Sequence, residues 1–272
     1  MLPRPPAPPP LIFLKLGGSL ITDKTAVSTI RPAILRQLAG EIASARAQNP
    51  ELRLLLGHGG GSFGHVAAAK HGTRDGVKTA VEWHSFALVH AAMAQLNQLV
   101  IKALLDAGVP AIGLQPSAHA QASDGALVHI TTAPIRAALD ANLVPVIYGD
   151  TIFDDVRGGT ILSTEELMVG LVDELRPSRL LLAGETMGVY DENKTLIPTI
   201  TPANYTTIAP ALRGSRGTDV TGGMASKVEG MLALVTAYPS LAIRIFSGME
   251  AGNVEGLLVG SGRIGTGIKE TT

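Results

Sequence analysis

The sequence predicts an α/β fold, a three-layer αβα sandwich around a mainly parallel open sheet, and three observations carry that prediction. Short, uninterrupted apolar runs recur along the 272 residues and end in glycine or a turn. Their lack of polar alternation suits strands buried on both faces. Segments of helical period lie between them, which calls for right-handed crossovers and helices on both sides of the sheet. Aromatic residues make up only 4% of the chain while glycine occurs 31 times, a composition suited to closely packed helices over strands rather than to a β-sandwich.

Taken in order, residues 1–10 (MLPRPPAPPP) predict a flexible arm, because proline favours extended backbone and the stretch lacks the apolar core of a signal peptide. The predicted strands are LIFLKLGG from 11, LRLLLGHGG from 52, PAIGL from 110, VPVIYGD from 144, RLLLAGE from 179 and AIRIFSG from 242. Phe86, Val89, Met93, Leu96, Val100 and Leu104 step by three or four, predicting a long helix that stops at Gly108-Val109-Pro110. Met224, Val228, Met231 and Val235 predict another. The polar, proline-containing link DELRPSR suggests a division near residue 175, with lobes at 11–175 and 176–272 of one continuous domain.

Bulk properties narrow the function classes. A net charge of −1 supplies no field to recruit nucleic acid or an acidic membrane surface. The absence of cysteine excludes disulfides, thiolate catalysis and cysteine metal sites, and points to a reducing cytoplasm. No apolar run in the sequence approaches the roughly 18 residues of a membrane-spanning helix.

Chemistry is expected beyond the carboxyl ends of the strands, where parallel sheets gather their ligands. Two turns there favour phosphate: LKLGGSLITDK at 14–24 and GHGGGSFGH at 57–65. Gly17 and Gly18 let backbone amides approach an anion, and a buried Lys15 would be costly without an anionic partner. Read alone, Lys15 at a strand end and Lys24 in TDKT would be solvated lysines. Three consecutive glycines, Gly59 to Gly61, have little structural use except a sharp turn or a close backbone approach. His65 follows at a predicted helix start, whereas His58 reads as structural. In GDTIFDDVRGGTILSTEEL, Asp150 is expected to end a strand and Gly158 and Gly159 to form a turn. Ser163 or Thr164 with Glu166 makes a helix cap, and a carboxylate among several lysines could orient them. DVTGGMASKVEG puts Lys227 on the first turn of a helix as a further anion site, and GETMGVYDEN suits a nucleoside edge. There is no P-loop, Rossmann turn or zinc pattern. Two phosphate-seeking turns imply two phosphorylated molecules held together, and hence phosphoryl transfer.

The joint pattern of KxGGS, a lysine nine residues later, GGG, GD and a late DVTGGMxxK resembles the amino acid kinase family from about residue 11 onward. Within it, GGGSFGH is similar to the isopentenyl phosphate kinase branch and, next, to fosfomycin kinases, whose acceptors already carry a phosphate or phosphonate. The resemblance implies ATP-dependent phosphorylation of isopentenyl phosphate to the diphosphate, with fosfomycin or another small acid as the alternative acceptor. It implies ATP with Mg²⁺ carried by the nucleotide rather than by a protein metal site, and a homodimer. It assigns Lys15, Gly17, Gly18, Ser19 and Gly61 to the ATP phosphates, Glu185, Gly223 and Lys227 to ATP from the second lobe, and Lys24 to the moving phosphoryl group. Gly60, Gly64 and His65 fall to the acceptor phosphate, Gly158 and Gly159 to its far side. Asp150 and Glu165 become orienting carboxylates, and Lys15, Lys24, His65 and Lys227 the catalytic set. Lobe 11–175 then binds the acceptor and lobe 176–272 the ATP. Two departures stand out: STE replaces the family's SGD, and ETMGVY its DVDGVY. The presence of all three lysines argues against a nucleotide sensor without catalysis.

Overall fold

The computed structural model describes residues 9–64, 72–213 and 223–271. His65, most of the proline arm and the start of the DVTGG motif lie outside the described residues. The elements are β1 (Leu11–Leu16), α1 (Gly18–Ile21), α2 (Pro32–Gln48), β2 (Arg53–His58), α3 (Ala80–Asp106), β3 (Ala111–Gly113), β4 (Ala120–Ser123), β5 (Ala126–Ile130), α4 (Ala133–Asp140) and β6 (Val144–Tyr148). They continue as β7 (Asp150–Asp154), β8 (Gly158–Leu162), α5 (Thr164–Leu175), β9 (Arg179–Gly184), β10 (Thr199–Ile200), α6 (Pro202–Arg213), α7 (Gly223–Ala237), β11 (Ala242–Ser247), α8 (Asn253–Val259) and β12 (Thr266–Ile268).

All six predicted strands lie in one eight-stranded sheet of order β10-β12-β11-β9-β1-β2-β6-β3. Its pairings are parallel except β11 with β12. The central strands are buried on both faces, as their uninterrupted apolar sequence requires. Period-2 alternation divides β1: Ile12, Leu14 and Leu16 join the core under α2, α3 and α8, whereas Leu11 and Phe13 join the core under α5 and α7. Lys15 therefore faces the α5 side. The link after Leu175 leads directly into β9, which pairs with β1, so both sides of the expected division contribute to one sheet.

A second sheet of order β5-β4-β7-β8 was not expected from the sequence. Its strands are short and partly exposed, and their polar content hides them among turn residues. It changes two local expectations. Asp150 opens β7 rather than ending a strand, and Gly158 and Gly159 open β8 rather than forming a turn. The turn is instead at 155–157, where Asp154 Oδ1 accepts the amides of Val156 (2.9 Å) and Arg157 (2.7 Å).

Helix α3 starts earlier than its apolar period, because Thr79 and Glu82 form a capping box. By length and mean hydropathy α3 would suffice to cross a bilayer, contrary to the reading of the apolar runs. Its buried residues are the predicted stripe Phe86, Val89, Met93, Leu96, Val100 and Leu104, with Ser85 and Asn97, and the stripe packs onto the protein core.

Candidate active site

The parallel strands bring Gly17, Gly59, Gly149, Glu185 and Gly248 to one edge of the large sheet, each just past a strand end. Lys15, one residue before the end of β1, is 9% exposed, and its Nζ lies 2.7 Å from Glu165 Oε1 in the first turn of α5. Lys227 Nζ, from the fifth residue of α7, stands 3.4 Å from the same oxygen. Three distant segments thus meet at one carboxylate. Burial pushes the Glu165 carboxyl up, but the charges of Lys15 and Lys227 overcome it and hold the group at about 2. Glu165 is consequently ionised, and the triad carries a net positive charge. Its neighbour Glu166 completes the α5 capping box with Ser163, as the STEE pattern suggested, and pairs with Arg74 at 2.7 Å.

The two glycine turns dovetail. Gly59 N donates to Leu16 O at 2.9 Å, and Thr22 Oγ1 both donates to Gly18 O (2.7 Å) and accepts from Ser62 N (3.0 Å). A Cβ on Gly18 would overlap the Gly61 backbone, one on Gly59 would lie 2.8 Å from Gly18 N, and one on Gly61 would strike Thr22. Gly61 also has φ +49°, a left-handed value that glycine accepts most readily. The turns need glycine because each is the other's wall. Gly18 and Ser19 open α1, in which Leu20 N and Ile21 N donate to Gly17 O at 3.0 and 3.3 Å, and the two opening amides are the ones positioned to serve an anion. On the other side Gly17 N donates to Ala183 O of β9 at 2.8 Å.

Among the described members of the catalytic set Lys24 is the most exposed, with 67% of its side chain accessible. Its Nζ lies 3.8 Å from Glu185 Oε2, while Arg31 Nη1 takes Glu185 Oε1 at 2.9 Å. Gly223 is the first residue of α7, four positions before Lys227.

Around the second turn, the sulfur of Met93 in α3 would be 2.8 Å from a Cβ on Gly60 and 3.3 Å from one on Gly64. Gly159 lies against the Phe86 ring, and Gly158 against Val77 O and Trp83. The expected acceptor glycines thus all abut α3 or the segment leading into it. Among the described residues, no lysine engages Asp150. It is 0% exposed and accepts from His90 Nδ1 (3.0 Å), Thr151 N (2.8 Å) and Ser117 N (3.3 Å), with burial raising its carboxyl above the ordinary range. Glu165, by contrast, is the carboxylate that Lys15 and Lys227 contact. His58 is buried, stacked on Tyr148 at 5.4 Å, and burial lowers its imidazole to about 4. That is the structural histidine anticipated.

Sequence reasoning passed over Thr22 and Arg31. Thr22 lies in the quoted ITDK stretch, but a single polar residue signals nothing until the second turn is folded beside it. Arg31 precedes Pro32 and reads as an ordinary helix-start residue.

The profile of the amino acid kinase family matches residues 10–247. The isopentenyl phosphate kinase of Methanocaldococcus jannaschii is 35% identical over 256 residues, covering 92% of this chain and 95% of its own length. That of Haloferax volcanii is 38% identical over 225 residues, covering 82% and 88%. A solved structure described as isopentenyl phosphate kinase superposes with a TM-score of 0.79 at 29% identity, covering 95% of this chain and 100% of that one. A profile that runs from the first strand to the end of β11, and so spans Lys15, Lys24, Lys227 and both interlocked glycine turns, establishes that the chain belongs to the amino acid kinase family.

Proposed function

We propose that this protein transfers the γ-phosphoryl group of ATP to isopentenyl phosphate, giving isopentenyl diphosphate and ADP. The observation that carries the reading is the junction of the two glycine turns beside the Lys15–Glu165–Lys227 cluster, in a chain 35% identical to a named isopentenyl phosphate kinase. A cradle with no room for a Cβ and with lysines at its edge fits a polyphosphate. Residues 176–272 are assigned to ATP and 11–175 to the acceptor, with Lys15, Gly17, Gly18, Ser19, Gly61, Glu185, Gly223 and Lys227 on the donor side. Gly60, Gly64 and His65 are assigned to the acceptor phosphate.

The acceptor's nucleophile is one of its own phosphate oxygens, already ionised at neutral pH, so no general base is needed. Catalysis becomes alignment and charge neutralisation. Lys15 and Lys227, spaced by Glu165, hold the donor phosphates. Lys24 reaches the moving phosphoryl group. Mg²⁺ bound to ATP would neutralise further phosphate charge. Beyond Gly60 and Gly159, the side chains of Met93 and Phe86 offer an apolar wall suited to a small hydrocarbon group. The reading places the enzyme in the cytoplasm as a homodimer.

Coupled ADP release measured with isopentenyl phosphate, dimethylallyl phosphate, fosfomycin, carbamate and acetylglutamate tests this directly. Isopentenyl phosphate is expected to give the highest kcat/KM. Preference for fosfomycin or for an acceptor without phosphorus would overturn the assignment.

A further inference from the structure

Lys24 and Arg31 emerge from the two ends of one closed loop. Thr22 and Ile30 form an antiparallel bridge, Asp23 N donates to Thr29 O at 2.9 Å, and Arg31 N donates to Ile21 O at 2.8 Å. Both cationic heads converge on Glu185, directly beyond β9, whose own carbonyl accepts from Ser247 Oγ at 3.3 Å. Arg31 makes the closer contact, 2.9 Å against 3.8 Å for Lys24, and its side chain is also the less exposed of the two. The nearby Asp23 carboxylate is occupied by Thr25, through its amide at 2.8 Å and its hydroxyl at 2.7 Å.

Two cations share the Glu185 carboxylate, and the exposed Asp23 carboxylate, held by Thr25, also feels the charge of Arg31. A lysine paired with Glu185 must break that ion pair to reach a phosphoryl group, and a bare carboxylate there would repel the incoming triphosphate. An arginine on the second carboxylate oxygen removes both difficulties. We propose that Arg31 is a positioning residue for phosphoryl transfer: by engaging Glu185 it keeps that carboxylate from sequestering Lys24 and leaves the lysine's charge available to the moving group. The proposal rests on the reading of Lys24 given above.

The test is a double-mutant cycle in steady-state kinetics with ATP and isopentenyl phosphate, on Arg31→Ala, Arg31→Lys, Glu185→Gln and the Arg31→Ala/Glu185→Gln pair, with Tm recorded for each. Arg31→Ala is expected to lower kcat about fivefold with little change in acceptor KM, and Arg31→Lys to recover most of the loss. On the Glu185→Gln background, removing Arg31 is expected to cost less than about twofold, because no carboxylate remains to trap Lys24. An undiminished loss on that background, or unchanged kcat in Arg31→Ala, overturns the proposal. Should Arg31→Ala fail to fold, Arg31→Gln removes the charge at similar length and enters the same cycle. Lys24→Ala separates the two levels of inference: unchanged kcat in that variant overturns the reading of Lys24 itself, whereas a large kcat loss there without Arg31–Glu185 coupling overturns only the role given to Arg31.

Discussion

Glu165 collects two lysines from opposite ends of the chain, and its acidity is set by them. Glu165→Gln keeps an acceptor for Lys15 but removes the charge that spaces the two ammonium groups, so kcat is expected to fall about tenfold with a smaller change in acceptor KM, read by initial-rate kinetics. The same residue gives a pH signature. Its folded-state value of about 2 lies below the ordinary 4.5, so the stability it contributes is complete above about 4.5 and is lost as pH falls towards 2. His58 behaves likewise in a higher window, because burial favours its neutral form: its contribution is complete above 6.5 and is lost as pH falls towards 4. Thermal melts across pH 7 to 2 should show both declines, with Glu165→Gln flattening the lower one alone. Lys15 was legible as a site residue because a lysine closing an apolar strand is anomalous. Arg31 was not, because an arginine before a helix breaks no local rule.

At the scale of elements, the candidate site is a junction between loops that are each ordinary on their own. Gly18→Ala would drive its Cβ into the backbone of Gly61, and backbone cannot yield as a flexible side chain can. The expected outcome is a stability loss of about 1–3 kcal/mol by denaturant titration, together with a rise in KM for ATP of about tenfold or more. Gly184→Ala is the control, since nothing lies within 4 Å of an added Cβ there. The buried parallel strands and the α3 stripe were readable because burial on both faces, or on one helical face, imposes a pattern on sequence. The β5-β4-β7-β8 sheet was not, because its short antiparallel strands are partly exposed and share residue types with turns. That omission is why Gly158 and Gly159 read as a turn and Asp150 as a strand end.

At the scale of the molecule, β9 lies between β1 and β11, so residues 176–272 are joined to residues 11–175 by the β1–β9 ladder, Ile12 to Leu16 against Arg179 to Ala183. Unfolding is therefore expected to be one transition in which fluorescence from Trp83, in α3, and far-ultraviolet circular dichroism coincide. Saturating ATP should raise that single midpoint rather than split it. Separate midpoints would show that the two halves fold independently despite the shared sheet.

The dovetailing of Gly18 with Gly61 also bears on how such an enzyme can change. The two turns meet through backbone and through the single hydroxyl of Thr22, so their spacing carries little side-chain slack and is fixed like the gap of a calliper. A graft that transplants one turn without its counterpart would lose the gauge. Variation in the acceptor must therefore come from the side chains that surround the turns, such as Met93 and Phe86, while the pair of turns is inherited as one unit.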